Sequence, residues 1–325
     1  MFPIIPANTA AASFPKNDEG IFGYGNVGAG GNVSTTNLVS NAGVVASDVT
    51  GVGTIRHAPA ATEYGDDKGI FAYGHVGSHP VWSVSMSNLV SNAGVVSSDV
   101  TGVGTERRYM GACGYGGDKG IFAYGSTIYE YPHNTPHGGY VSMSNLVSNA
   151  GVVASDVTGV GTARMSVAAC EYGDDKALFA FGQSSSKVST RNLVSNAGVI
   201  SSDATGAGSV RANLAACEYG EDKGIFGYGY GAVWAAEGPS AGYTVSMSNL
   251  VSNTGVVASD VAGVGTPRYS IAGCEYGQDK GIFGFGYGTG YYAITNLVSN
   301  AGVVASDQAA TTGSARDRTG ACSFN

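Results

Sequence analysis

Short runs of β-branched and aromatic residues alternate along this chain with polar turns rich in Asn, Asp and Gly. In the fourth copy of the pattern, strand A is predicted over residues 164–172 and strand B over residues 177–182. Strand C is predicted to end at about Val194, and strand D to start at Val199 after an Asn-Ala-Gly turn. These are hairpin signals, and no helical apolar period accompanies them. The pattern predicts an all-β fold built from four-stranded antiparallel units.

The unit is repeated six times. The segment Asn-Leu-Val-Ser-Asn recurs at intervals of 47 to 57 residues, which is the spacing of propeller blades. We therefore predict a six-bladed β-propeller over residues 19–325, preceded by an N-terminal arm at residues 1–18. The six copies begin at Asn37, Asn88, Asn145, Asn192, Asn249 and Asn296.

The two ends of the chain predict how the ring closes. The chain enters the first unit at strand B, near residues 18–22, and its last residues, 316–324, align with strand A of the other copies. Pairing the last strand with the first unit would hide two sheet edges, so we favour closure by the C-terminal strand. Residues 10–14 are the alternative source of that strand.

Two motifs carry a family resemblance. The order Arg-x-x-x-Ala-Ala-Cys-Glu-Tyr-Gly and then Asp-Lys-Gly-Ile-Phe-Gly-Tyr-Gly resembles the kelch repeat, which implies a propeller closed by a C-terminal strand. The chain departs from kelch where Gly-Tyr-Gly replaces a Gly-Gly pair and where the strand D Trp is missing. The tandem repeats also resemble repeat proteins of tailed bacteriophages, which implies a tail-fibre or virion-associated role.

Composition excludes some partners. With a net charge of −8 and a pI near 5.0, the chain lacks the basic surface that nucleic acid or an anionic membrane attracts. The first residues have no basic region before an apolar run, and no stretch is long enough to span a bilayer, so we expect a protein made in the host cytoplasm without a signal peptide or membrane insertion. The five cysteines occupy one repeat position, which predicts core residues rather than disulfides.

An Asp and an Arg recur in every unit, the Arg at the start of strand A and the Asp eight or nine residues earlier. Positions that every blade keeps serve the scaffold, whereas a catalytic site normally breaks symmetry. We interpret them as structural charge pairs that join each blade to the next. They are Asp48, Arg56, Asp99, Arg107, Asp156, Arg164, Asp203, Arg211, Asp260, Arg268, Asp307 and Arg316.

The copies differ mainly in the loops between strands B and C, which should share one face of the disc. Their aromatic residues suit contact with proteins or sugars, although each loop could instead bury its aromatics locally. A metal site from His75, His79, His133 and His137 lacks supporting ligands, and the acidic turns carry their own lysines, so we predict no metal and no cofactor. The candidate binding residues are Trp82, Tyr129, Tyr131, His133, Trp234, Tyr243, Tyr291 and Tyr292.

These features favour a non-enzymatic recognition or structural protein of a bacteriophage virion. Its expected partners are other virion proteins or a host cell-surface protein or glycan, and homo-oligomerisation stays open. An enzyme or lectin acting on carbohydrate is one alternative, but we find no lone Ser/His/Asp set or paired carboxylates outside the repeated turns. A cellular kelch-type interaction module is the other.

Overall fold

The computed structural model describes residues 17–77, 82–127, 139–232, 242–308 and 313–325. In these ranges the regular structure is β-strand, apart from one 3-10 turn at Gly28–Gly30. The strands are β1 (Glu19–Asn26), β2 (Asn32–Val39), β3 (Ala60–Tyr64), β4 (Lys68–Ala72), β5 (Ser87–Val90), β6 (Gly111–Tyr115), β7 (Lys119–Ala123), β8 (Ser144–Val147), β9 (Ala168–Tyr172), β10 (Lys176–Ala180), β11 (Arg191–Val194), β12 (Arg211–Ala212), β13 (Ala215–Tyr219), β14 (Lys223–Ala232), β15 (Gly242–Val251), β16 (Ala272–Tyr276), β17 (Lys280–Gly284), β18 (Thr295–Val298) and β19 (Gly320–Phe324).

These strands form six small antiparallel sheets, one for each repeat. Sheet 1 has the order β19-β1-β2, so the last strand of the chain pairs with the first, from Glu19 opposite Phe324 to Gly23 opposite Gly320. Sheets 2, 3, 4 and 6 are β3-β4-β5, β6-β7-β8, β9-β10-β11 and β16-β17-β18. In sheet 5, β14 pairs with β15 on one side and with β13 and the short β12 on the other. Six such sheets fit a six-bladed β-propeller.

The prediction of four strands in each blade was wrong, because the predicted strand D makes only isolated bridges. In sheet 4 these are Val194 with Ile200 and Arg191 with Ala204. Between them, the Asn192 side-chain amide donates to the carbonyl of Ser201 at 3.0 Å. A side chain therefore takes the place of a backbone ladder bond, and the outer segment does not become a regular strand.

The middle strands are the most buried part of each sheet. Ile70 and Phe71 of β4 are fully buried, whereas Lys68 begins the strand at the surface. The sheets pack closely at the adjoining Gly69, where a Cβ would lie 2.5 Å from the sulfur of Cys322 in the neighbouring sheet. The five cysteines are free and buried, and burial raises the pKa of each thiol.

The sheets follow one another in a ring whose six junctions are equivalent. The inner strands β3, β6, β9, β13, β16 and β19 contact one another in this order, and β19 contacts β3. Each junction also joins two aromatic rings edge to face, and the junction between the first and last sheets does so through Phe22 and Phe285, 5.2 Å apart. A glycine near the end of each middle strand donates to an arginine carbonyl of the next sheet, as Gly286, two residues after β17, does to Arg316 at 2.9 Å.

The twelve recurring Asp and Arg residues lie at these junctions. Each arginine is fully buried, stacks over an aromatic ring of the preceding sheet and lies 3.6 to 4.0 Å from an Asp oxygen. Its Asp is the one that follows it in sequence: Arg56, before β3, pairs with Asp99, after β5 of the same sheet, and Arg316 pairs with Asp48 in the same way in sheet 1. The prediction that these charge pairs join each blade to the next was therefore wrong, because each pair lies within one sheet and the arginine reaches the preceding sheet through its aromatic stack. Partial burial tends to raise the pKa of Asp48, but hydrogen bonds from Ser314 and Asn37 outweigh it and lower that pKa.

Within the described residues, no helix has the length and apolar character needed to cross a membrane.

Candidate recognition face and carboxylate cluster

One position in each sheet combines a constant backbone with a variable side chain. It lies two residues after the recurring arginine, and its φ is between 51° and 56° in all six copies, a region that residues with a Cβ rarely adopt. Backbone contacts between sheets explain this conformation: Ser270 N–H donates to Asn213 O at 2.8 Å, and Arg318 N–H to Ser270 O at 2.9 Å. We call these six residues the mouth ring: Ala58, Tyr109, Ser166, Asn213, Ser270 and Arg318.

The mouth ring surrounds one end of a central cavity. The cavity there has a volume of about 80 Å³, and polar groups of Tyr109, Ser166, Asn213 and Arg318 line it. Because a water molecule occupies about 30 Å³ in the liquid, this space accepts only a small polar group. It is suited to one substituent of a larger ligand that lies across the face.

The residue before each mouth-ring position extends the variable surface outwards. It bridges to the continuation of the middle strand, as His57 does with His75 and Tyr269 with Tyr287. The segment before the outer strand extends this pairing by one more residue, since His75 also bridges to Ser83. The loops between middle and outer strands therefore emerge on the mouth-ring side, and the residues that differ between repeats collect on one face.

Four tyrosines form a continuous row on this face, across sheets 5 and 6. The ring centroids of Tyr230 and Tyr269 are 5.2 Å apart, those of Tyr269 and Tyr287 are 5.7 Å apart, and those of Tyr287 and Tyr291 are 5.0 Å apart. The Tyr291 hydroxyl donates to Asn26 Oδ1 of sheet 1 at 3.2 Å. All four side chains are half-buried, so the tyrosine row is held by its neighbours and still offers an exposed edge.

A second group of polar and aromatic side chains lies on sheets 1 to 3. His57 Nδ1 donates to Asn32 Oδ1 at 2.8 Å, and the His57 and His75 rings are 4.7 Å apart. Arg108 donates to His75, which stacks on Trp82 with the ring centroids 5.8 Å apart. Burial and nearby arginine charge lower the pKa of His57 to about 3 and that of His75 to about 4, so both rings are neutral at neutral pH.

Asp317 and Arg318 lie between the tyrosine row and the histidines. Asp317 is 3% exposed, and burial raises its pKa to about 6. Its Oδ1 has no hydrogen-bond partner among the described residues, while Oδ2 is 3.7 Å from Arg318 Nε. The ionised carboxylate therefore has too few hydrogen bonds and charge contacts to offset its burial, and this costs folding free energy. A buried, destabilising group at the edge of a variable face is not explained by a role in stability.

Asp317→Asn is expected to stabilise the folded protein at pH 8 by roughly 1–2 kcal/mol. The folded-state pKa of Asp317, about 6, lies above its ordinary value of 3.8, so the stability that its protonation provides is present below pH 4 and is lost as the pH rises through 6. Thermal melts at pH 4 and pH 8 check this: the gain should appear at pH 8 and vanish at pH 4. Asp48→Asn is the control of opposite sign, since that pKa is lowered. Destabilisation by Asp317→Asn at pH 8 would contradict the expectation.

The structure places four of the eight predicted binding residues. Trp82 is half-buried against His75, Tyr291 belongs to the tyrosine row, and the Tyr292 hydroxyl hydrogen-bonds Thr289 at 2.9 Å. Tyr243 is 44% exposed and stands over Gly231. The other four, and His79 and His137, lie outside the described residues: Tyr129, Tyr131, His133 and Trp234.

Sequence reasoning missed the mouth ring and its neighbours. His57, Tyr109, Tyr269, Asp317 and Arg318 lie one or two residues after the recurring arginine, so they were assigned to the scaffold strand. A signal was present, because no two copies have the same pair of residues after that arginine, while the arginine itself is constant. Applied to those positions, the comparison of the six copies would have found this face.

The inner strands also bring carboxylates together at the opposite end of the cavity. Glu63, Glu171 and Glu218 each offer an oxygen, and these oxygens lie within 4.8 Å of one another. We call these three residues the carboxylate cluster. Glu275 and Asn17 line the same space. The cluster contradicts the sequence interpretation that no carboxylates are paired outside the repeated turns.

Neither a scan against protein-family models nor a search of the curated proteins finds a match for this chain.

Proposed function

We propose that the protein is a kelch-like six-bladed β-propeller that recognises a partner through the mouth-ring face and performs no catalysis. The observation that carries the proposal is the separation of constant and variable positions. All six junctions repeat the same arginine, aromatic and backbone contacts, whereas the side chains that differ lie side by side on one face. A surface of this kind lets a rigid scaffold present one asymmetric set of contacts.

The chemistry of the face favours a saccharide as the partner. The tyrosine row offers flat apolar surfaces with polar edges, and amides and cationic groups flank it, such as Asn26 and Lys187, whose Nζ lies 4.7 Å from the Tyr230 ring centroid. A few fixed polar groups among aromatic rings orient a small or repetitive ligand. The cavity of about 80 Å³ beside the row would take one substituent of a sugar ring.

Neutral histidines support recognition over acid-base catalysis. Groups that exchange protons efficiently near neutral pH have pKa values near 7, whereas those of His57 and His75 are held at about 3 and about 4. His57 is engaged with Asn32 and His75 with Arg108, so both act as fixed parts of the face.

We further propose that a bacteriophage particle carries this protein, as a tail-fibre-like receptor-binding module or a protein attached to the particle surface. The support is the resemblance of the tandem repeats to phage repeat proteins together with a face built for recognition. Co-purification with intact virions through a density gradient tests this part, and a protein that stays in the soluble fraction of a phage lysate contradicts it.

Binding to an array of purified bacterial surface polysaccharides tests the recognition face. Replacing both Tyr269 and Tyr287 with Ala should weaken binding of the labelled full-length protein by on the order of 2 kcal/mol, roughly 30-fold, because aromatic anchors carry most of the affinity at such surfaces. Val152→Ala is the control: this valine is 64% exposed on a turn after β8 and should leave binding unchanged. Equal binding by the double variant and the control would refute the assignment of the face.

A further inference from the structure

The carboxylate cluster exists because sheet 3 has no side chain at a position where most of the sheets have Glu. The next-to-last residue of each inner strand occupies equivalent register, and it is Glu in four sheets, Gly114 in sheet 3 and Ser323 in sheet 1. A Cβ on Gly114 would lie 1.4 Å from Oε1 of Glu171 and 3.2 Å from Oε1 of Glu63. The carboxylate of Glu171 thus fills the space that a side chain at position 114 would need, and this brings it towards Glu63.

A fourth oxygen independently marks the same space as a ligand site. Asn17 is 6% exposed, and its side-chain Oδ1 is buried with no hydrogen-bond partner among the described residues. Its backbone is anchored, since its carbonyl accepts a bond from Gln278 N–H at 3.1 Å. Asn17 lines the same cavity as the cluster. A buried acceptor without a donor has a free-energy cost unless something else in the cavity satisfies it.

We propose that this cavity binds one divalent cation of the calcium class through the carboxylate cluster and Asn17. Calcium is bound by carboxylate and amide oxygens at 2.3–2.6 Å, so oxygens on opposite sides of the ion are roughly 4.6–5.2 Å apart. Three oxygens within 4.8 Å of one another are compatible with that shell, and magnesium, which demands near-ideal octahedral geometry and gives up its water reluctantly, suits such a site less well. The cavity volume of about 30 Å³ leaves room for the ion and a water ligand.

The ligand types argue against a thiolate metal such as zinc. The nearest sulfurs belong to the cysteines that precede the glutamates, and they point between the sheets. Cys170 Sγ, for example, would lie 2.3 Å from a Cβ on Gly224 of the next sheet. All-oxygen donor sets select calcium, magnesium or manganese. From the sequence alone we expected no metal, and the meeting of these carboxylates at the axis is the reason to propose one.

A cation here would tie most of the ring together. Its ligands come from sheets 2, 4 and 5 and from the segment that leads into sheet 1, with Glu275 of sheet 6 beside them. Ion binding would therefore couple four or five sheets at one point and oppose their separation. Any ligand that binds only the folded state raises its melting temperature as its concentration rises.

Calorimetric titration of the chelator-treated full-length protein with CaCl₂ tests the site, together with thermal melts in EDTA and in calcium. We expect one calcium per chain, a higher melting temperature in calcium, and weaker binding of magnesium. Glu171→Gln should reduce calcium affinity at least tenfold and remove the calcium-dependent rise in melting temperature. In EDTA the same variant should melt at or above the temperature of the native protein, because one like charge is gone.

Glu106→Gln is the matched control, since Glu106 is exposed and outside the cavity, and it should bind calcium like the native protein. Two results would overturn the proposal. One is the absence of binding heat together with identical melting in EDTA and calcium. The other is a Glu171→Gln variant that is destabilised equally in both buffers, which would assign the cluster a purely structural role.

Discussion

Removal of residues 316–325 is expected to abolish the cooperative unfolding of this protein. The deletion takes away β19, which supplies five paired residues to β1, and Arg316, which donates to Asn37 and lies 3.6 Å from Asp48. It also uncovers the inner side of sheet 2, where Cys322 packs on Gly69. Two junctions of the ring would be opened at once, and a native domain has only about 5–15 kcal/mol of stability to lose.

Circular dichroism melts and size-exclusion chromatography of the truncated chain check this expectation. A broad transition or aggregation is expected, because the exposed edges of β1 and β3 can pair with other chains. A synthetic peptide of residues 313–325 should restore a sharp transition when added in excess, and a scrambled peptide of the same composition should not. A truncated chain that melts like the full-length protein would show that β19 is dispensable.

Much of this fold could be predicted because the same local signals occur six times. The turns Asn-Ala-Gly and Gly-Asp-Asp-Lys and the apolar strand around Phe71 report local conformation, which short segments encode well. The count of strands was not predictable in the same way. The Asn192 side chain donates a hydrogen bond to the carbonyl of Ser201. A strand pattern in the sequence does not show which side chain will replace a backbone hydrogen bond between strands in this way.

The candidate sites depend on contacts between distant repeats, which strand patterns do not contain. Arg318 is two residues after the scaffold arginine, and only the arrangement of the sheets in a ring places its guanidinium near Tyr109 of another sheet, 6.0 Å from the centroid of that aromatic ring. Glu recurs at one position of the repeat, which is typical of a residue that serves the scaffold. Its replacement by Gly114 was the feature of the sequence that could have indicated the cluster. In both cases the informative feature was an exception within the repeat, at a position whose surroundings the sequence does not define.

The buried arginines are expected to stabilise the ring far more than the exposed ion pairs do. Arg211 is fully buried, and its guanidinium contacts three groups of its own sheet 5: Nε donates to Tyr228 O at 3.0 Å, Nη2 donates to Asn249 Oδ1 at 2.5 Å, and Asp260 lies 3.7 Å away. It also stacks over Phe181, 4.2 Å from the ring centroid. Burial lowers the pKa of Arg211 to about 10, so the guanidinium remains charged at neutral pH.

Arg211→Met should therefore cost about 3 kcal/mol of unfolding free energy, since it leaves Asn249 and a backbone carbonyl without their donors in a closed space. Lys223→Met is the matched control, because it removes another long cation from the same sheet. The Lys223 side chain is 41% exposed and pairs with its neighbour Asp222, so its loss should cost less than about 0.5 kcal/mol. Urea unfolding of both variants measures the difference. Equal losses would mean that the recurring arginines do not hold the sheets together, and the ring would then owe its stability to the aromatic contacts alone.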